Sequence, residues 1–236
     1  MKERILIKIS GASLKSNNEI FDVKKISNLA YQINVLSQKY QISLVIGGGN
    51  IFRGNLAQSL NLDRNDADAM GMLSTMINGL ILKNVFNNHK INVKLFSALK
   101  IDKIIDEYTS RSVNDALNNN NVCIFVGGVG LPFFTTDTGA ALRAAETQSK
   151  IILMGKNGVD GVYDKDPLKH SDAKWFEHLT YDEIISKSLD VIDQSALTLC
   201  WDNNISLLVF NINEENSLIR VMNKEIKATI IDEGVN

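Results

Sequence analysis

Histidine, cysteine and proline are scarce in this chain: 236 residues hold three, two and two of them. His89, His170 and His178 are scattered and share no cluster with acids or cysteines, so they offer no transition-metal ligand set and read as surface residues. Cys123 and Cys200 lie far apart, in no CxxC pair, and read as reduced, buried thiols of a cytosolic protein. With Pro132 and Pro167 alone, the chain has no Pro/Ser-rich linker, and no fixed-period repeat is visible. We expect no run of transmembrane length. The apolar part of Met1–Ile7 is too short for a signal sequence, which leaves a cytoplasmic location and no membrane partner. A formal net charge of −2 gives no bulk attraction for nucleic acid. Three motifs are missing as well. Without GxxxxGK[ST] this is no P-loop enzyme, without GxGxxG after the first strand the dinucleotide reading weakens, and no serine sits in a GxSxG elbow.

What is present begins with glycine. Val45-Ile46-Gly47-Gly48-Gly49-Asn50-Ile51-Phe52-Arg53-Gly54 runs a short apolar strand into three glycines, with an arginine close behind. Glycine permits positive φ and close backbone approach, successive N–H groups suit an anion, and Arg53 adds a fork of donors. A plain strand-to-helix turn would need fewer glycines.

Strand-like runs cover Arg4–Ser10, Ile42–Ile46, Val93–Phe96, Val122–Val126, Ile151–Met154 and Leu207–Phe210. They are continuously apolar, as in a parallel sheet buried on both faces. Helical patterns fill Val23–Tyr40, Asp63–Phe86, Thr138–Thr147, Tyr181–Lys187 and Asp193–Asn203. The methionines at 70, 72 and 76 read as core packing. The asparagine run 118–121 reads as compositional drift. The order predicts an α/β three-layer sandwich, a mostly parallel sheet with helices on both faces. We take residues 1–236 as one domain with an N-terminal lobe of about 1–126 and a C-terminal lobe of about 127–236.

Five clusters sit where ligands bind in such sheets, after strands or in loops. Lys8-Ile9-Ser10-Gly11 places a lysine on a central strand, where burial without a partner is costly. The triplet with Arg53 is the second. In Asp66-Ala67-Asp68-Ala69-Met70-Gly71, Asp66 reads as a helix cap and Asp68 as a carboxylate for sugar hydroxyls. Gly127-Gly128-Val129-Gly130-Leu131-Pro132-Phe133-Phe134-Thr135-Thr136-Asp137 offers amides, an aromatic wall and hydroxyls for a base edge. Its threonines and Asp137 can equally cap the next helix, and Asp137 can hold a lysine or a metal ion. Gly155-Lys156-Asn157-Gly158-Val159-Asp160-Gly161-Val162-Tyr163-Asp164-Lys165-Asp166-Pro167 is no EF-hand, and its Tyr163 can stack on an adenine.

With these patches the sequence resembles the bacterial-type uridylate (UMP) kinases of the amino acid kinase superfamily, from Ile5 to about Ile231. The triplet patch and Pro132–Asp137 point to the uridylate branch. Met70–Leu73, Asp160–Tyr163, Asp166-Pro167 and Phe210–Asn213 also fit. The resemblance implies transfer of the γ-phosphoryl group of ATP to UMP with Mg²⁺, a homohexamer built from dimers, and feedback inhibition by UTP. It implies the acceptor in the N-terminal lobe and ATP in the C-terminal lobe. UMP would be held by Gly48, Arg53 and Asp68 and by Val129, Gly130, Leu131, Pro132, Phe133, Phe134, Thr135 and Thr136. ATP would meet Lys8, Ser10, Gly11, Gly49 and Arg53 at its phosphates and Asn157, Tyr163 and Asp166 at its nucleoside. Lys8, Arg53 and Asp137 would be catalytic, Asp137 orienting the lysine, with Mg²⁺ held mainly by ATP phosphates rather than by protein ligands. Members activated by GTP commonly carry a longer, glycine-containing loop where this chain has Leu14–Asp22, so GTP activation is not carried over. Two alternatives stay open: a kinase of the superfamily acting on a carboxylate or carbamate, and a non-catalytic uridine-nucleotide sensor.

Overall fold

A computed structural model of the chain describes residues 2–234, leaving Met1, Val235 and Asn236 outside. One nine-stranded sheet runs through it. Strands β1 (Glu3–Ile9), β2 (Tyr40–Ile46), β3 (Val93–Ser97), β4 (Asp106–Glu107), β5 (Val122–Val126), β6 (Ile151–Lys156), β9 (His178–Thr180), β10 (Ser206–Asn211) and β11 (Ala228–Asp232) take the order β4-β3-β5-β2-β1-β6-β10-β11-β9. Every pairing is parallel except β10 with β11. Strands β7 (Val162–Tyr163) and β8 (Trp175–Phe176) make a separate antiparallel pair.

The period of two along β1 divides the core. Ile5, Ile7 and Ile9 face one apolar layer, built with α1 (Val23–Ser37), α3 (Arg64–Asn88) and α8 (Ser217–Met222). Leu6 faces the other, built with α4 (Ser110–Asn118), α5 (Thr136–Glu146), α6 (Tyr181–Ser186) and α7 (Gln194–Asp202). Lys8 therefore shares the face of Leu6 and is aimed at the α5 layer. All six expected strands occur, each within a residue or two of its expected bounds.

Several boundaries differ. The first helix ends at Ser37 rather than Tyr40, because Tyr40 is already in register with Glu3 on the central strand. Asp63, not Asp66, caps α3: its carboxylate accepts from Asn65 N, while Asp66 sits in the first turn. The asparagine run is a helix stop. Asn119 is the C-cap of α4, Asn120 lies at φ 56°, and Asn121 Nδ2 closes onto the Ala116 carbonyl. Helices α2 (Gly54–Ser59), α4 and α8, and strands β4, β7, β8, β9 and β11, were not expected. Two to nine residues long, they carry too few apolar positions to show a period.

Helix α3 departs most from expectation. Met76, Leu82 and Phe86 are buried, yet Met70, Leu73 and Ile77 are exposed at 40%, 50% and 46%. By length and composition alone it is also apolar enough to cross a membrane, contrary to the expected absence of such a run. Its other face packs on α1, β3 and β5.

Candidate active site

The charged centre lies at the carboxyl ends of β1, β2, β5 and β6. Thr135 caps α5 by accepting from Asp137 N and Thr138 N, which presents Asp137 in the first turn. Lys8 Nζ lies 2.5 Å from Asp137 Oδ1, with side-chain exposures of 11% and 17%. The contact is a close charge pair, not an aligned hydrogen bond. A lysine in the middle of a buried strand thus finds the partner that burial demands. Asp137 holds the lysine; the capping is done by its neighbour.

None of Gly47, Gly48 and Gly49 has positive φ, and close packing demands glycine at Gly48, while Gly49 has room for a Cβ. A Cβ on Gly48 would stand 2.7 Å from the Gly71 carbonyl oxygen of α3. The loop is tied to α3 by Asn78, fully buried, which donates to the Gly47 carbonyl at 2.7 Å and exchanges amide hydrogen bonds with Asn50. Asn78 was missed in sequence. Its signal was a polar residue one helical turn before Leu82, on the buried side of α3. Arg53 donates from Nε to the Gly49 carbonyl at 2.5 Å, so both members of the expected pair meet.

A cavity of about 670 Å³ opens beside this loop. Gly48, Gly49, Arg53, Asp68, Leu131, Phe134, Thr135 and Thr136 line it, joined by unpredicted Phe52, Arg64, Met72, Thr75 and Gly128. Of the expected loop, Leu131, Phe134, Thr135 and Thr136 face the cavity. Val129, Gly130, Pro132 and Phe133 are not on the wall. Gly130, at φ 84°, abuts Ala98, and the exposed Phe133 ring lies beneath the guanidinium of Arg64, 5.4 Å from the ring centre, beside the cavity that Arg64 lines. Phe133 is itself at φ 71°, a strained conformation for a bulky residue, and its N–H donates to Asp68 Oδ2 at 2.7 Å. The same Asp68 oxygen accepts from Arg64 Nε at 2.7 Å. Asp68 therefore borders the cavity while fastening the loop that closes it. The hydroxyl of Thr135, expected at a base edge, is committed to Asp193 and to its cap.

A second cavity of about 460 Å³ lies on the other side, against β6 and the β7–β8 pair. Asn157, Tyr163 and Asp166 line it, together with Lys156, Pro167 and Leu189–Val191. Asn157 Nδ2 donates to Ser10 Oγ at 2.7 Å, which joins this cavity to the end of β1. Gly11 admits no side chain between Asn50 and Gly49. The Tyr163 hydroxyl donates to Asp160 at 2.5 Å and accepts from Lys227 at 2.8 Å. Burial, then the Asp160 hydrogen bond, push its pKa up. Backbone donation from Leu168 leads the effects that lower the Asp166 carboxyl.

Asp193 is a further residue that sequence reading used only as a helix boundary. It caps α7 and accepts from the hydroxyls of Thr135 and Thr138, so one carboxylate joins the helix of one cavity to the helix behind the other. Of the histidines, His178 has an acidic partner after all, Asp232 at 2.8 Å, though both remain on the surface.

Two cavities flanking a Lys–Asp pair and a glycine loop suit a reaction between two phosphorylated molecules. The profile of the amino acid kinase family matches residues 3–211. The chain is 52% identical over 231 residues to a uridylate kinase of Ureaplasma parvum serovar 3, covering 98% of each chain. It is 42% identical over 234 residues to one of Mycoplasma pneumoniae, covering 98% of this chain and 100% of the other. Among solved structures, a UMP kinase from Ureaplasma parvum superposes with a TM-score of 0.97 at 51% identity, covering 99% of this chain and all 100% of that one. A UMP kinase from Bacillus anthracis gives 0.94 at 36% identity, covering 99% and 97%.

Proposed function

The chain belongs to the amino acid kinase family, and from that premise we propose that it is a nucleoside monophosphate kinase that phosphorylates UMP to UDP with ATP. The observation that carries this is the placement of two distinct cavities on opposite sides of Lys8 and the Gly48–Gly49 loop. UMP occupies the larger one, its phosphate against Gly48 and Arg53. ATP lies with its nucleoside beside Tyr163, Asn157 and Asp166 and its phosphates over Ser10, Gly11 and Gly49. The lobes divide the sheet between β1 and β6, the acceptor on the side of β2, β5 and β3 and the donor on the side of β6 and β10.

Phosphoryl transfer asks for in-line positioning and positive charge on the moving group more than for covalent chemistry. The UMP phosphate is already ionised, so no general base is needed. Lys8, oriented by Asp137, and Arg53 supply the charge, while the backbone N–H groups of the glycine loop supply neutral donors. Mg²⁺ fits as a companion of ATP. No cluster of three His, Cys, Asp or Glu is formed among the described residues, and a cation held by phosphate oxygens and water requires none. When bound it neutralises charge on the phosphates.

UTP, sharing the uridine, would compete for the acceptor cavity as a feedback inhibitor. A homohexamer built from dimers would need a contact face between copies, and the exposed Met70, Leu73 and Ile77, which recur on one face of α3, support such a face. A cytoplasmic location is supported by two free, buried cysteines.

An ADP-release assay with UMP, CMP, AMP, glutamate and acetylglutamate as acceptors tests the reading. Turnover with UMP is expected. Turnover on an acidic amino acid and none on UMP would favour the carboxylate-kinase reading, and binding of UMP and ATP without UDP would favour the sensor.

A further inference from the structure

Lys156 is the charged side chain near the centre that the reaction has not used. It ends β6, which pairs with β1, the strand of Lys8, through Lys8↔Met154 and Ile9↔Gly155. It lines the donor-side cavity with Asn157 and Val191. Its Nζ donates to the Val191 carbonyl at 2.5 Å, and it makes no ion pair among the described residues.

That is an incomplete set of partners. Lys156 is half-buried, its ammonium carries three donors, and a lysine drawn even partly out of water usually has an anion beside it. Three charges face Lys156. Asp137 of α5 and Asp190 of the loop before α7 favour its charged form, and Lys8 of β1 opposes it. Burial outweighs them and draws its pKa below the usual lysine range. Asp137 is already in contact with Lys8. Lys156 is therefore left without a carboxylate in contact, and it stands at the mouth of a nucleotide cavity.

We propose that Lys156 binds the donor polyphosphate, its ammonium taking the phosphate oxygens as the anion that the protein does not supply. The donor then meets cations from two neighbouring strands, Lys8 from β1 and Lys156 from β6. The inference rests on the donor-side cavity holding ATP. It differs from a role in which Lys156 merely fastens the 189–193 loop through Val191.

Calorimetric binding of ATP and of adenosine to wild type, Lys156→Gln and Lys156→Arg separates the two. Glutamine keeps a donor for the Val191 carbonyl and removes the charge. The Gln variant is expected to lose about tenfold or more in ATP affinity, as for one charge-assisted hydrogen bond, with adenosine affinity unchanged. The Arg variant is expected to keep most of the ATP affinity. Equal weakening of ATP and adenosine, or no weakening of either, would overturn the proposal. If the Gln variant fails to fold, ATP binding by the Arg variant decides, since its charge is retained at every accessible pH: loss of ATP affinity there with adenosine intact also counts against a phosphate contact. No UMP enters these measurements, so a wrong acceptor does not affect their outcome. A wild type that binds no ATP would sink the functional reading as well.

Discussion

Arg53 and Asp137 show how a single side chain takes its role from its neighbours. Arg53 borders the larger cavity, the one proposed for the acceptor, and is steadied by the Gly49 carbonyl. If Arg53 holds the acceptor phosphate as proposed, Arg53→Ala deletes a charge-assisted contact worth about 1.5–3 kcal/mol. The apparent KM for UMP is expected to rise about tenfold or more, with the KM for ATP much less affected. An unchanged UMP dependence in steady-state kinetics would remove Arg53 from the acceptor site. Asp137 is different, because its loss leaves Lys8 unpaired in a poorly solvated place. Asp137→Ala is expected to cost about 3 kcal/mol of stability in denaturant titrations and to abolish turnover. Retained activity would mean that Lys8 needs no orienting partner.

Elements position those residues through a few close contacts. Helix α3 approaches the glycine loop so nearly that Gly48 has no room for a methyl group, the obstacle being a backbone carbonyl rather than a movable side chain. Gly48→Ala should therefore push the loop from α3. Loss of UMP binding is expected while ATP binding survives, and calorimetry with each nucleotide checks it. Intact UMP affinity would show that the loop has slack. On the opposite side of the sheet, α5 owes its alignment to Thr135 and Asp193, a link between elements 55 or more residues apart. Nothing local marks Asp193 as more than a helix cap, which is why sequence reading treated it as a boundary.

Across the whole molecule, the exposed apolar stripe of α3 and the buried thiols give the remaining tests. The double substitution Leu73→Asp with Ile77→Asp places like charges on a face proposed to meet a second copy. Sedimentation is expected to show a smaller species than wild type, and an unchanged mass would move the interface elsewhere. Cys123 and Cys200 have pKa values pushed from 9.0 up to about 12 by burial, the largest cause for each. Their protonated form is favoured in the fold, so this contribution is complete below pH 9 and fades as pH rises towards 12. Replacing both with alanine should flatten the alkaline fall in melting temperature. Thiol reagents at neutral pH should label the native protein slowly.

The sequence by itself determined the parallel α/β sandwich, because continuous Ile, Val and Leu runs can only be buried on both faces and their order leaves little topological choice. It also marked Lys8, the glycine triplet, Arg53, Asp137 and Tyr163, since each breaks a local pattern where a strand ends. Tertiary structure decided which of them meet. It gave Lys8 to Asp137, set Phe133 in a left-handed backbone under Arg64, tied the glycine loop to Asn78, and left Lys156 facing a cavity without an anion. The physical reason is range. Burial pattern and glycine content are written in neighbouring residues, whereas a charge pair or a close approach joins segments whose distance in sequence carries no information about their distance in space.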